Sequence, residues 1–137
     1  MKSTKPTSSS ADTRLSDSLN QVLADSYALM AVTHLAHWNV EGPNFFALHT
    51  AFQTQYEELF AAIDEIAERV RARGAYALGG LGNLAAVARM KEFSAPLPQE
   101  EYVRLLLTAN EKLLAEHGSA TNRGPGIQHP TNLAALH

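Results

Sequence analysis

Cysteine is absent from this chain of 137 residues, and other features that would define a function class are scarce. Without a thiol, the protein forms no disulfide and has no thiolate metal site and no cysteine nucleophile. No apolar run reaches the roughly 20 residues of a membrane-spanning helix, and residues 1–13 lack the apolar segment of a secretory signal. The net charge of −3 offers no general attraction to nucleic acid or to an anionic membrane. We therefore expect a globular protein of the reducing cytoplasm.

What is present divides the chain into a tail, a helical domain and a second tail. Residues 1–13 are rich in Ser, Thr, Lys and Pro, a composition typical of disorder. Residues 14–117 show helical periodicity and are apolar enough to bury one core. Residues 118–137 contain no acidic residue, three glycines and two prolines. We predict that this last segment is irregular.

Within the helical domain, apolar residues recur at steps of three and four in three long segments. The first helix is predicted from residue 14 to 39 and the second from 44 to 73, with a Gly-Pro pair at 42–43 between them. Residues 75–95 form a connector with a short helix, and a third long helix opens after Pro98 and stops at Gly118. The pattern predicts an all-α bundle of three main helices and one short connector helix.

Two histidines and two carboxylates form the constellation that points to chemistry. His37 closes the first helix and His49 lies in the first turns of the second, so an antiparallel hairpin could bring both imidazoles to one end. Asp64 and Glu68 are four residues apart and share one face of the second helix. Imidazole with carboxylate, without thiolate, suits Fe(II), Mn(II) or Zn(II).

The spacing between the two pairs decides how they could cooperate. His49 and Asp64 are fifteen residues apart, about 22 Å along a helix, and they point within about 60° of each other. Because metal–ligand bonds are about 2 Å long, one ion cannot bind both pairs of one chain. Either the pairs are unrelated, or two antiparallel copies in a two-fold dimer each lend one pair to a site and form two equivalent sites.

Structural roles for these residues are the alternative. A histidine on a helix is more often packed or solvated than bound to a metal, and Asp64 and Glu68 would equally suit a solvated face. His34 and His37, three residues apart, could together bind a metal, although a core or interface role for His34 is preferred. Trp38 at a helix end is most often a packing anchor.

Residues 37–74 resemble the signature of the Dps family, the DNA-protection-during-starvation miniferritins. The family pattern is HWNV-x-G-x-N-F, then L-H, then D-x-x-A-E-R, and all three pieces occur here in that order and spacing. A weaker match in helical layout extends over residues 14–117. The resemblance therefore implies a ferritin-like helical bundle.

The resemblance also implies roles for named residues. His37 and His49 match the two histidines of the family's ferroxidase site, and Asp64 and Glu68 match the carboxylates that the neighbouring subunit supplies. Trp38 matches a tryptophan beside that site. Ordinary ferritins instead place Glu-x-x-His pairs inside one bundle, and this chain has no Glu-x-x-His. That absence favours the site at the interface.

Two departures from the family pattern stand out. The family usually has Asp or Glu four residues after the second histidine, whereas this chain has Gln53, a poorer ligand that would weaken one iron position, with Glu57 as a substitute one turn further. The resemblance also stops near residue 117, where family members continue with a fourth long helix. We therefore expect a fourth helix to be missing, and with it the closed shell.

The resemblance implies a function and partners. Family members bind Fe(II), oxidise it with hydrogen peroxide or oxygen, and store the ferric product inside a shell of twelve subunits, which protects the cell and its DNA. We expect the same iron chemistry here, in a two-fold dimer in the cytoplasm, without a membrane partner. One alternative is a non-catalytic protein that coats DNA in the nucleoid, although Lys2 and Lys5 would bind it only weakly. The other is an inactive, truncated remnant.

Overall fold

The computed structural model describes residues 10–121, with side chains up to residue 118. It has four helices: α1 (Ser10–Asn39), α2 (Phe45–Ala72), α3 (Leu81–Val87) and α4 (Gln99–Thr121). Within this range there is no strand, and none of the helices is long and apolar enough to cross a membrane. Three long helices with a short one in the connector confirm the predicted all-α architecture.

Two helix ends lie outside the predicted domain limits. α1 begins at Ser10, inside the predicted 1–13 tail, where Asp12 suits the helix N-terminus and lies 3.8 Å from a guanidinium nitrogen of Arg73. α4 continues to Thr121, beyond the predicted end at 117, because one glycine costs a helix only about 1 kcal/mol. The remaining tail segments, 1–9 and 122–137, are outside the described residues. The predicted absence of a further long helix after α4 therefore stays a prediction.

A five-residue loop, residues 40–44, joins α1 and α2 into a hairpin. Gly42 has φ +119°, a conformation that L side chains rarely adopt. A Cβ at this position would lie 2.7 Å from Oε1 of Gln99, and the same oxygen accepts the backbone N–H of Asn44 at 3.1 Å. The start of α4 thus holds the loop, and the loop places the end of α1 beside the start of α2.

The predicted apolar stripes of α1 and α2 meet in the core. Tyr56 is half-buried, and the other six residues of the α2 stripe are buried: Leu48, Phe52, Leu59, Ile63, Ile66 and Val70. Phe52 and Val70 are completely enclosed. Burial of a side chain of this size stabilises the fold by about 1.5–3 kcal/mol, so the stripe explains why the two helices pair along their whole length.

The end of α2 has the geometry that its glycine predicts. Gly74 has φ +83°, and its N–H donates to the carbonyl of Arg71 at 2.9 Å. The next N–H, of Ala75, donates to the carbonyl of Val70 at 3.3 Å. These two bonds form a Schellman motif, which ends the helix and turns the chain into the connector.

Side chains of α1 hold the connector against the hairpin. The Asn20 amide donates to the Tyr76 carbonyl at 3.1 Å, and its oxygen accepts the Leu78 N–H at 2.9 Å. Gln21 donates to the Val87 carbonyl at 2.9 Å. Since the connector follows α2, these bonds near the start of α1 show that α1 and α2 are antiparallel.

α4 packs against α1 and is antiparallel to it. Its first residue, Gln99, lies at the hairpin loop, whereas His117, near its other end, bonds Asp25 of α1 at 2.7 Å. Tyr102 is completely buried, and its hydroxyl accepts the N–H of Leu97 at 3.2 Å. α1 is therefore the central helix, in contact with each of the other three.

Candidate metal centre

The histidine pair lies at the loop end of the α1–α2 hairpin. His37 is in the last turn of α1 and His49 is near the start of α2. Their rings stack with centroids 3.7 Å apart and planes 17° apart. His37 is buried and His49 is half-buried. The structure therefore brings together the two imidazoles that the sequence placed on either side of the loop.

Hydrogen bonds determine which nitrogen of each ring is protonated. Nδ1 of His37 lies 2.7 Å from the carbonyl oxygen of His49, and Nδ1 of His49 lies 2.8 Å from the carbonyl oxygen of His37. A carbonyl oxygen only accepts, so each Nδ1 is the donor. A neutral imidazole then has its lone pair on Nε2, and a bond from the other nitrogen to a carbonyl is typical of metal-binding histidines. The pair is preset as two Nε2 ligands.

Aromatic rings cover the histidine pair. Phe45 stacks on His49 with ring centroids 4.9 Å apart. Tyr56 presents its ring edge-on to His37 at 5.1 Å. Both rings come from α2, and Tyr56 belongs to its core stripe. Their contacts restrict the movement of the two imidazole rings.

His34 and Trp38 extend this aromatic group along α1. His34 lies 4.1 Å from Tyr56 and stacks on Trp38 at 5.0 Å. Desolvation, followed by the charge of His37, lowers the pKa of His34 and favours the neutral ring. The Trp38 side chain stacks on His34 and is still 68% exposed, so both its role as a packing anchor and its place beside the metal site stay predictions.

The two carboxylates of the predicted site lie elsewhere on the subunit. Asp64 and Glu68 are both exposed on α2, which is uninterrupted from Phe45 to Ala72. The distance of about 22 Å between His49 and Asp64 therefore stands. Among the described residues, no carboxylate or further histidine joins His37 and His49 in a group of three with ligand atoms within 4.8 Å of one another. One subunit does not assemble the four predicted ligands.

Gln53, the fifth and poorer ligand of the predicted site, lies one turn beyond His49 on α2. Its amide nitrogen donates to Oε1 of Glu57 at 2.9 Å, and both side chains are exposed. The amide oxygen is then the atom of Gln53 that a cation could meet, and it carries no formal charge. Gln53, at the position where the family usually has a carboxylate, is thus hydrogen-bonded to Glu57, the next acid along the helix.

A second cluster of ligand-type residues was not predicted. The imidazole of His117 donates to Oδ2 of Asp25 at 2.7 Å, and both residues are buried. Oδ1 of Asp25 accepts the backbone N–H of Arg89 at 2.7 Å. The Arg89 guanidinium lies 3.7 Å from Asp25 and 3.9 Å from Glu116. Because this cation already sits against both carboxylates, we interpret the cluster as a clasp that joins α1, the connector and α4.

No local signal in the sequence could have revealed this clasp. Asp25 and His117 are 92 residues apart, and neither belongs to a motif. A buried carboxylate is stable only when it is paired or hydrogen-bonded. The search for stripes of apolar residues passes over such a pair, because both of its members are polar.

Large apolar side chains lie on the outward face of α2. Phe46 is 83% exposed and Phe60 is 69% exposed. They are fourteen residues apart, with Gln53 midway, so they share one side of a helix with 3.6 residues per turn. Asp64 lies one turn beyond Phe60 on the same side. The proposed carboxylate ligands therefore belong to a partly apolar surface.

An apolar pocket of about 350 Å³ opens beside Asp64. α2 contributes Phe60, Ile63 and Ala67 to its lining, and α1 contributes Tyr27 and Met30. The connector closes the remaining side with residues 78–81 and 84. The pocket thus exists because α1 holds the connector against the hairpin.

Comparison with protein families and with curated proteins extends over most of the chain. A family model described as the ferritin-like domain matches residues 16–121. A low temperature-induced protein of Nostoc, itself uncharacterised, is 45% identical over 80 residues, which are 58% of this chain and 45% of that protein. The match thus spans less than half of that relative. DNA protection during starvation protein 2 of Bacillus anthracis is 34% identical over 98 residues, 72% of this chain and 67% of the relative.

Solved structures show the same fold. A Dps protein from Bacillus brevis superposes with a TM-score of 0.79 at 29% identity, covering 93% of this chain and 86% of that one. Dps from Staphylococcus aureus gives a TM-score of 0.67 at 30% identity, covering 81% and 79%. The similarity in these comparisons therefore includes both the sequence and the course of the chain.

Proposed function

This chain belongs to the ferritin-like family and, within it, to the Dps miniferritins, and from that premise we propose that it binds ferrous iron and oxidises it at a centre shared between two subunits. The observation that supports this is the histidine pair. Both Nδ1 atoms donate to carbonyl oxygens, so each neutral ring has its lone pair on Nε2, and the two rings stack 3.7 Å apart. The described part of their own subunit brings no carboxylate to complete the group. A second subunit supplies it.

A two-fold dimer meets this need if the two α2 helices are antiparallel. Pairing His49 of one subunit with Asp64 of the partner subunit places the two-fold axis between residues 56 and 57. Glu68 lies one turn beyond Asp64 on the same face, so both carboxylates approach the histidine end together. By symmetry the dimer has two such centres. The outward face of α2, with its exposed acids and rings, is the surface that this pairing covers.

Iron is the substrate in this proposal, and the ligand set suits it. Imidazole nitrogens and carboxylate oxygens bind Fe(II) without the thiolates that select softer metals. Carboxylates also favour the ferric product, because a higher positive charge gains more from an anionic ligand. Each ferrous ion gives up one electron, and hydrogen peroxide takes two electrons and two protons to form two waters. Two ferrous ions are therefore oxidised per peroxide, and dioxygen is the alternative oxidant.

Such a reaction would protect the cell by consuming ferrous iron and peroxide together. Storage of the ferric product, as in the family, would further require that the subunits form a closed shell. DNA coating, the rival function, finds no support in the part of the chain that the structure describes. The net charge of −3 offers no general attraction to the phosphates of DNA.

Removal of one proposed carboxylate tests the site. Asp64→Asn should abolish saturable Fe(II) oxidation and weaken Fe(II) binding in an anaerobic titration, because it removes an anionic ligand from each centre. Glu65→Gln is the matched control, since Glu65 is an equally exposed acid on the same helix. The control should keep parental binding and rate. If Asp64→Asn keeps them too, or if both variants lose them equally, the site assignment is wrong.

A further inference from the structure

Within residues 10–118, nothing explains the exposure of Phe46. Its side chain is 83% exposed, whereas the neighbouring Phe45 stacks on His49. A ring in water forgoes about 1.5–3 kcal/mol that burial would contribute. Phe46 begins the outward stripe of α2 and lies at the same end of the subunit as the histidine pair.

The apolar pocket beside Asp64 is large enough for such a ring. Its volume is about 350 Å³, whereas a cavity of about 150 Å³ can bind benzene. Apolar side chains from α1 and α2 form its walls, and the connector adds Gly79 and Gly80. Glycines leave this side of the pocket open to an incoming ring.

Phe46 cannot reach the pocket of its own subunit. Ala67, in the pocket lining, is 21 residues further along the same helix, about 31 Å away. The two-fold register that pairs His49 with Asp64 changes this, because it also sets residue 46 of one chain opposite residue 67 of the other. We propose that Phe46 of each subunit inserts into the pocket of its partner, and that this contact sets the register of the shared metal centre. The inference rests on the two-fold centre proposed above.

Charge complementarity supports a second copy of the chain as the occupant. Arg71, one turn beyond Ala67, donates to the Ala75 carbonyl at 3.0 Å and lies 4.6 Å from the Tyr76 ring centroid. Its cation is thereby held near the end of α2, one turn beyond a residue of the pocket lining. In the same register, residue 41 lies opposite residue 72, so Glu41, exposed in the hairpin loop near Phe46, comes within one residue of Arg71. One pairing thus matches ring with pocket, acid with arginine, and histidine with carboxylate.

A swap of ring and pocket tests this contact without iron. Sedimentation equilibrium of the full chain gives the dimer Kd. Phe46→Ala should raise the Kd at least about 30-fold, the effect of losing a buried aromatic contact at an interface. Ala67→Phe should raise it too, because the new ring fills the pocket. The double variant should return to within about tenfold of the parental Kd, because the ring from position 67 then faces the space left at position 46. Phe46→Leu, which keeps an apolar side chain, is the matched control and should change the Kd less than Phe46→Ala.

The outcomes separate this inference from the proposed function. An unchanged Kd in Phe46→Ala, or a double variant weaker than either single variant, overturns the contact. The contact is also overturned if the parental chain stays monomeric at every accessible concentration. It is overturned as well if the pocket of the parental chain holds a small apolar molecule and Phe46→Ala still dimerises. If Phe46→Ala still dimerises and oxidises iron at the parental rate, only this inference fails. If dimers respond to the swap as expected but Asp64→Asn keeps full activity, only the shared metal centre fails.

Discussion

His37 and His49 are bonded reciprocally, each through Nδ1 to the carbonyl oxygen of the other, with their rings stacked 3.7 Å apart. These bonds join the end of α1 to the start of α2, and they assign the proton in both rings. A pair of rotating side chains would lose conformational entropy on binding a metal. Here the hairpin has already ordered them, so binding of a metal through Nε2 costs less conformational entropy.

The shared centre predicts complementation between two inactive variants. His49→Ala and Asp64→Ala should each be inactive, because each removes one ligand from both centres of its dimer. After the two are unfolded, mixed and refolded, random pairing makes about half of the dimers mixed. In a mixed dimer one centre has both defects and the other has none, so about a quarter of the parental Fe(II) oxidation rate should return. Background activity in a sample shown to contain dimers would contradict the shared centre.

Gln53 predicts a gain of iron affinity on substitution. Gln53→Asp supplies an anionic ligand near His49, and we expect Fe(II) to bind about tenfold more tightly, a gain of about 1.4 kcal/mol. The same change removes the bond to Glu57 and sets two acids four residues apart, which should cost the iron-free protein about 0.3 kcal/mol. Thr54→Asp, on an exposed neighbour, is the control. Equal titration curves for Gln53→Asp and the parent would count against this interpretation of the departure.

The lowered pKa of His34 predicts lower stability in acid. Desolvation, with the charge of His37, disfavours the protonated ring in the folded state, whereas the unfolded chain has the usual pKa of about 6.5. The unfolded state therefore takes up the proton first, and stability present above about pH 6.5 is lost as the pH falls through the folded-state pKa. His34→Gln should flatten this part of the pH profile of the free energy of unfolding, measured with urea. Identical slopes for variant and parent would refute the assignment to His34.

The clasp between Asp25 and His117 predicts a large loss of stability. Asp25 is 1% exposed, so His117→Leu leaves a buried carboxylate with fewer donors, and the free energy of unfolding should fall by about 3 kcal/mol. Glu116→Gln changes an exposed acid beside the same arginine and should cost less than about 1 kcal/mol. Urea unfolding of both variants makes the comparison. If both variants lost the same free energy of unfolding, the contribution assigned to the buried Asp25–His117 pair would be wrong.

Most of the fold could be predicted from local patterns in the sequence. The α2 stripe from Leu48 to Val70 identifies one buried face because a helix repeats every 3.6 residues. Gly42 and Gly74 mark turns because their backbone conformations exclude most side chains. The helix ends were predicted less closely. Nothing local distinguishes a helix that begins at Ser10 from one that begins a turn later, and Gly118 did not end α4.

The sequence by itself determined the helices, the hairpin and the types of ligand, because these depend on residue order over short distances. It also determined that one chain cannot bring His49 and Asp64 together, since helix rise alone separates them. Only the tertiary structure decided which ring nitrogens are protonated, that Phe45 faces His49 while Phe46 faces solvent, and that Asp25 pairs with His117. These depend on contacts between segments distant in the chain, and the free energy of such a contact arises only when packing brings both partners together.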